Sequence, residues 1–372
     1  MNVLIACGGT GGHLYPGLVV GKKLLSQGIN VMFVVRRNDK GARILSNEKL
    51  RYEEIDMIGF PRKSMFNFTY MLFFYKLVKS LLQSVYIIAK YKIHVIISFG
   101  GYVSFPVAFA GKILMKPLII HEQNVLPGMS NRILSFIADK IAISFHESED
   151  FFAPRLGKKI IYTGLPIRFK NNFFDVGEAY KKFSIDPAKK TLLVFGGSAG
   201  AHKINVVVSD AMVKYQDEFK RVLQVIHITG EKDYEEIVKK YKSVGVKSCV
   251  YPYLDDIGYA YVVADFVISR AGASTMAEIL YFKKPAIFVP YPYATDNHQK
   301  YNVLGLRKLH LCEVIYDEVF SVETVREYIH KFIETDIIDV IKYNLEKYEY
   351  EIHDELFLQL VNNYKKGCRS IP

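Results

Sequence analysis

The stretch NVLIACGGTGGHLYPG, residues 2–17, carries an apolar run into a glycine-dense turn and then to a histidine. The run has the length and composition of a buried parallel strand, and the residues beyond the turn have helical spacing. Strand, glycine turn and helix start together form a phosphate-receiving device, because free N–H groups at a helix N-terminus favour an anion. The same glycines would also serve a purely structural tight turn.

Two familiar fingerprints fail here. The dinucleotide pattern G-x-G-x-x-G, started at Gly9, passes Gly11 and meets Leu14 where the third glycine belongs. The next strand ends in Arg36–Arg37, where an acidic residue would hold a ribose. A P-loop fails as well, since Leu18 follows Gly17 in place of lysine. A nicotinamide enzyme and a P-loop enzyme are both disfavoured.

Outward from this stretch, short β-branched runs alternate with helix-length segments. Strands are expected at 2–6, 30–35, 94–99, 117–122 and 140–144, with helices between them such as 14–27 and 104–115. The pattern restarts with TLLVFGG (191–197) and continues through 224–230, 248–254, 265–270 and 285–291. The first strand of each half leads into a glycine loop, GGTGG in one and GGSAG (196–200) in the other. Two doubly wound α/β domains follow, expected at 1–166 and 167–344, with a helix in 345–372 packing back on the first.

The 372 residues suit two domains. The formal charge of +11 points to an anionic partner, whether nucleotide phosphate, membrane or nucleic acid. No basic-aromatic motif or recognition-helix pattern supports nucleic acid. Four scattered cysteines (Cys7, Cys249, Cys312, Cys368) form no zinc or disulfide pattern. The N-terminus has no signal-peptide features, so a reducing cytoplasmic setting is expected. Residues 64–92 are rich in apolar and aromatic side chains, yet Lys76, Lys79, Lys90 and Lys92 break every apolar run short of the roughly 18 residues of a membrane span. Interfacial attachment is the expected use, with the basic residues Arg62, Lys63, Lys76 and Lys79 beside Met65, Phe66 and the aromatic run that follows.

A third loop, SRAGASTMAEIL (269–280), places small residues and hydroxyls at a helix start, suited to a diphosphate. Glu278 falls one turn beyond Ser274, where a carboxylate would accept ribose hydroxyls or serve the helix itself.

Taken in order, GGTGGHLYPG, SFGGYVSFP, HEQNVLPGMSNR, GLPIR, GGSAGA, SRAGASTMAE and PYPYATDNHQKYNV resemble the MurG-type N-acetylglucosaminyltransferases of peptidoglycan synthesis over most of residues 1–305. The resemblance implies a GT-B fold, two Rossmann-like doubly wound parallel-sheet domains facing across a cleft. It implies inverting transfer of N-acetylglucosamine (GlcNAc) from UDP-GlcNAc to the 4-hydroxyl of the N-acetylmuramoyl (MurNAc) sugar of lipid I, giving lipid II. The donor positions it implies are Thr10, Gly11, Gly12, Asn124, Arg168, Ser198, Leu254, Ala273, Ser274, Thr275, Met276, Ala277, Glu278 and Gln299. Acceptor contacts fall on Gly8, Gly9, Tyr102 and Asn131. The family often has Gln where Ala199 stands, and a glutamine pair where this chain has His298–Gln299.

The chemistry needs a base for the acceptor proton and positive charge for the departing UDP. His13 is the candidate base, Glu122 its rival, and Arg270 a candidate for leaving-group stabilisation. No D-x-D sequence offers metal ligands, and neither a metal nor a cofactor is expected. The expected partners are UDP-GlcNAc, lipid I, the anionic cytoplasmic face of the cell membrane through residues 62–79, and cell-wall synthesis proteins. A diacylglycerol glycosyltransferase and a non-catalytic nucleotide-sugar-binding protein are the alternatives.

Overall fold

The first strand, β1 (Asn2–Ala6), is fully apolar after its first residue because both of its faces are covered. In the computed structural model, Val3 and Ile5 enter one core layer and Leu4 and Ala6 the opposite one. The described residues are all but Gly9, Thr10, 62–67, Asn171, Ser198, Ala199 and 367–372, and the side chains of 365 and 366 are also undescribed.

After β1 come α1 (Gly11–Ser26), β2 (Asn30–Arg36), α2 (Lys40–Asn47), β3 (Tyr52–Ile55), α3 (Phe68–Lys90), β4 (Val95–Ser98) and α4 (Ser104–Ile113). Then follow β5 (Leu118–Glu122), α5 (Met129–Leu134), β6 (Lys140–Ile143) and β7 (Ile160–Tyr162). The strands form one parallel sheet in the order β3-β2-β1-β4-β5-β6-β7. Gly21 brings α1 close to this sheet, because a Cβ there would stand 2.3 Å from the ring of Phe33.

The second half holds α6 (Val176–Phe183), β8 (Lys190–Phe195), α7 (His202–Lys214), α8 (Gln216–Phe219), β9 (Leu223–Ile228), α9 (Tyr234–Lys242) and β10 (Lys247–Tyr251). It continues with α10 (Ile257–Val263), β11 (Phe266–Ser269), α11 (Ala273–Tyr281), β12 (Ala286–Phe288), α12 (His298–Lys308), β13 (Glu313–Val314), α13 (Val322–Glu334) and α14 (Ile337–Lys347). Its parallel sheet runs β10-β9-β8-β11-β12-β13. In both sheets the order reverses beside the first strand of the half, so the loops after β1 and β4, and those after β8 and β11, flank the topological switch point where α/β sheets bind ligands.

The chain divides into two compact units, Asn171–Tyr350 and the remainder. These limits differ from the expected 166 and 344. Arg168 stacks over Tyr15 at 4.4 Å and Lys170 bonds Asp354 at 2.6 Å, which holds residues 167–170 in the first unit. α14 extends past 344 within the second unit, where Lys283 reaches the Glu346 carbonyl. The last helix, α15 (Glu355–Lys366), sets Phe357, Leu360 and Val361 into the core layer of α1.

α3 is the one described helix long and apolar enough to cross a membrane by length and composition. One of its faces is tied down. Lys76 donates to Asp56 at 2.8 Å, Gln83 to the Glu54 carbonyl at 2.8 Å, and Ile87 and Ile88 are buried. The opposite face exposes Phe68, Met71, Phe74, Tyr75, Val78, Leu82 and Tyr86 in a helical stripe.

Candidate active site

Three loops of the first unit converge around His13, the third residue of α1. Gly100 and Gly101 both have left-handed φ values, +80° and +78°. A Cβ on Gly101 would lie 2.9 Å from the Gly8 carbonyl and 3.5 Å from His13 Nδ1, and one on Gly100 would lie 3.0 Å from Asn131 Nδ2. Only glycine allows the β1, β4 and β5 loops to approach this closely. Gly11 and Gly12 open the helix without side chains, while Gly9 and Thr10 lie outside the described residues. The Arg36 guanidinium stands 5.9 Å from the ring of Tyr102, which connects the end of β2 to the same group of loops.

Glu122 is buried at the end of β5. Its Oε1 accepts from the Asn124 backbone at 2.9 Å, and its Oε2 accepts from the Gly128 backbone at 3.0 Å and from Asn131 Nδ2 at 2.8 Å. Burial pushes its pKa up, and these donors oppose that push. Both oxygens are engaged in holding the 122–131 loop. Asn131 also donates to the His121 carbonyl at 2.9 Å, and its Oδ1 has no partner although the residue is buried. His121 is held as neutral imidazole: burial, opposed by the Gly164 carbonyl and aided by nearby His13, lowers its pKa to about 4. Asn124 presents its side chain where the loop leaves β5, with its carbonyl bound by Ser148 at 3.0 Å. Arg168 is found in this first unit, stacked on Tyr15.

In the second unit the loop after β8 turns through Gly197 (φ +95°) and Gly200 (φ +75°), and a Cβ on Gly200 would collide with the Thr229 carbonyl at 2.1 Å. Ser198 lies outside the described residues. The loop after β11 ends at Gly272, which leads into α11 with no side-chain cap and no acidic residue in the first turn. That leaves the N–H groups of the first turn and the positive helix end available to an anion. Ser274 Oγ and Arg270 Nε are buried there without partners. Ala273, Met276 and Ala277 pack inward, and the Thr275 hydroxyl lies near Gly272 at the helix start.

Glu278 receives the Tyr261 hydroxyl at 3.0 Å. Gln299 uses its amide oxygen to accept from the Ala271 and Tyr291 backbones at 3.2 and 2.9 Å, which leaves its NH₂ group as the contact for a ligand. Leu254 is half-buried in the loop after β10. His298 bonds its own turn at the Thr295 carbonyl, 2.7 Å. Arg270 Nη1 donates to Asp317 at 2.6 Å and to the Val289 and Pro290 carbonyls.

Asp317 and Tyr261, which contact Arg270 and Glu278, carry no local motif in the sequence. No group of three or more metal-ligating side chains occurs among the described residues. A pocket of about 430 Å³ beside α5, lined by Met129, Ile133, Phe136 and Phe151, is apolar and contains none of the candidate residues.

Residues 3–143 match the glycosyltransferase family 28 N-terminal domain and residues 191–337 the family 28 C-terminal domain. The chain is 37% identical over 335 residues, 90% of each chain, to the UDP-N-acetylglucosamine–N-acetylmuramyl-(pentapeptide) pyrophosphoryl-undecaprenol N-acetylglucosamine transferase of Thermodesulfovibrio yellowstonii. The protein of the same name from Halothermothrix orenii is 37% identical, covering 85% of this chain and 86% of that one. The chain belongs to the MurG-type transferases of glycosyltransferase family 28. A crystal structure of Acinetobacter baumannii MurG shares the fold, with a TM-score of 0.76 and 24% identity over 97% of this chain and 99% of that one. The family 28 fold is GT-B, and the two matched domains are the two parallel sheets described above.

Proposed function

We infer that this family 28 enzyme moves GlcNAc from UDP-GlcNAc to the 4-hydroxyl of MurNAc in lipid I, with inversion, forming lipid II. The observation that carries this reading is the 37% identity to the named transferases across 90% of both chains, which spans both sheets. The switch-point loops supply the chemistry. In the second unit the uncapped α11 terminus, Ser274 Oγ and the Gln299 amide receive the diphosphate and sugar of the donor, and Glu278 takes the ribose. In the first unit the loops at Gly8, Gly100 and Gly101 receive the acceptor, and Gly11 and Gly12 remain the donor positions that the resemblance implies.

The acceptor oxygen forms a bond to C1 of GlcNAc as the C1–O bond to the β-phosphate breaks. The proton passes to His13, whose imidazole suits that transfer near neutral pH. The charge growing on UDP meets the N–H groups of α11, each such donor lowering the barrier by about 3 kcal/mol by analogy with oxyanion sites. Asn131 and Glu122 hold the loop that frames His13.

Lipid I is a membrane substrate, and the exposed stripe of α3 supports attachment to the anionic cytoplasmic face as a peripheral enzyme. The tied-down face of α3 opposes a spanning role, since crossing would strip Ile87, Ile88 and the Lys76–Asp56 pair from the domain. The test of the transfer reaction is UDP release that depends on adding a lipid I analogue.

A further inference from the structure

One carboxylate outside every motif of the donor site holds two of its loops. Asp317 follows β13 in a short 3-10 turn and is mostly buried. Its Oδ1 accepts from Arg270 Nη1 at 2.6 Å, and its Oδ2 accepts from Lys203 Nζ at 3.0 Å. Lys203 also donates to the Asp317 backbone carbonyl. Arg270 begins the loop that leads into α11, and Lys203 is the second residue of α7, directly after the glycine loop of β8. These are the two loops that flank the β8/β11 switch point.

We propose that Asp317 is a positioning residue for the nucleotide, setting the spacing of the α7 and α11 N-termini on which the donor diphosphate rests. The proposal rests on the reading of the second unit as the donor site. Arg270 is only 8% exposed, so its guanidinium requires a charge partner to remain where it is. The same guanidinium binds the Val289 and Pro290 carbonyls, which tie in the chain leading to Gln299. Two cations share one carboxylate, so the cluster retains one positive charge beside the diphosphate position. Burial raises the Asp317 pKa, and the Arg270 and Lys203 hydrogen bonds and charges outweigh that, holding it below the usual carboxylate range. The clamp is therefore charged throughout the neutral range.

Asp317→Asn keeps the shape and removes the charge. In calorimetric titration with UDP and in steady-state assays, it is expected to weaken UDP binding and raise KM for UDP-GlcNAc by about tenfold, with KM for the lipid I analogue unchanged. A lowered melting temperature with UDP affinity and KM unchanged would overturn the proposal and leave Asp317 a stability residue. Lys203→Gln, at the partly exposed partner, covers the case in which Asp317→Asn fails to fold. It is expected to weaken UDP binding severalfold without shifting the melting temperature, and unchanged affinity would count against the clamp. Wild-type protein that binds no UDP would overturn the donor-site reading itself, and this proposal with it.

Discussion

At His13 the geometry is selective. The imidazole lies beside the Gly101 backbone, and both oxygens of Glu122, the rival candidate, accept hydrogen bonds from their own loop. His13→Ala should therefore lower kcat by about 10²–10⁴-fold while leaving KM for UDP-GlcNAc unchanged, read from initial rates at saturating acceptor. Glu122→Gln tests the opposite kind of residue. Its amide NH₂ would face N–H donors, leaving a buried polar group unpaired at a cost of about 1–3 kcal/mol, visible as a lowered denaturation midpoint. Wild-type stability with a lost pH dependence of kcat would return Glu122 to the base role.

A second buried histidine gives a pH prediction. His227 lies between the Tyr241 hydroxyl (3.0 Å) and Asn205 Oδ1 (3.1 Å), and Asn205 passes the chain to Asp233 at 2.7 Å. Burial lowers its pKa to about 3, opposed weakly by Asp233. The unfolded state then binds a proton that the folded state refuses, so stability present above about pH 6.5 is lost as the pH falls, at up to roughly 1.4 kcal/mol per unit. Melting temperature measured from pH 7 to 4 should fall, and His227→Gln should have a shallower acid limb.

These residues differ in how legible they were. His13, Glu278 and Gln299 sit in contiguous motifs whose chemistry is local. The contacts of Glu122 and Arg270 depend on partners that sequence does not display: Asp317 is 47 residues from Arg270, and the donors to Glu122 come from a loop that folds back on it.

Among the elements, the central strands and the edge strand β10 were readable, and the other three edges were not. β1, β4, β5, β8 and β11 are continuous apolar runs because both faces are covered. β3 reads YEEI, where polar residues erase the pattern, while β7 with three residues and β13 with two are too short to show one; each lies at the margin of its sheet. α3 shows the converse. Its apolar content was evident, but only the structure separates the face that binds Asp56 and Glu54 from the face left open. Lys76 is occupied by Asp56, and Arg62 and Lys63 lie outside the described residues; the proposed attachment is therefore tested on the exposed apolar stripe. Met71 and Leu82 are 72% and 65% exposed, so Met71→Glu with Leu82→Glu should abolish cosedimentation with anionic vesicles without changing the melting temperature. Undiminished binding would dismiss α3 as the membrane contact.

At the scale of the whole molecule, each half repeats one plan: a parallel sheet, a glycine loop after its first strand, and a second loop across the switch point. The rhyme of GGTGG with GGSAG made this visible, since a repeated local device implies a repeated sheet. The proposed division of labour rests on what differs between the copies. The first half has His13 and a loop framed by Glu122 and Asn131, while the second has an uncapped helix, Glu278 and a buried ion cluster. The most direct test of that division is product analysis after incubation with UDP-GlcNAc and a lipid I analogue, with diacylglycerol offered in a parallel reaction. The account predicts UDP and an inverted GlcNAc–MurNAc disaccharide on the lipid I analogue alone. Transfer to diacylglycerol, or UDP binding without transfer to either acceptor, would contradict it.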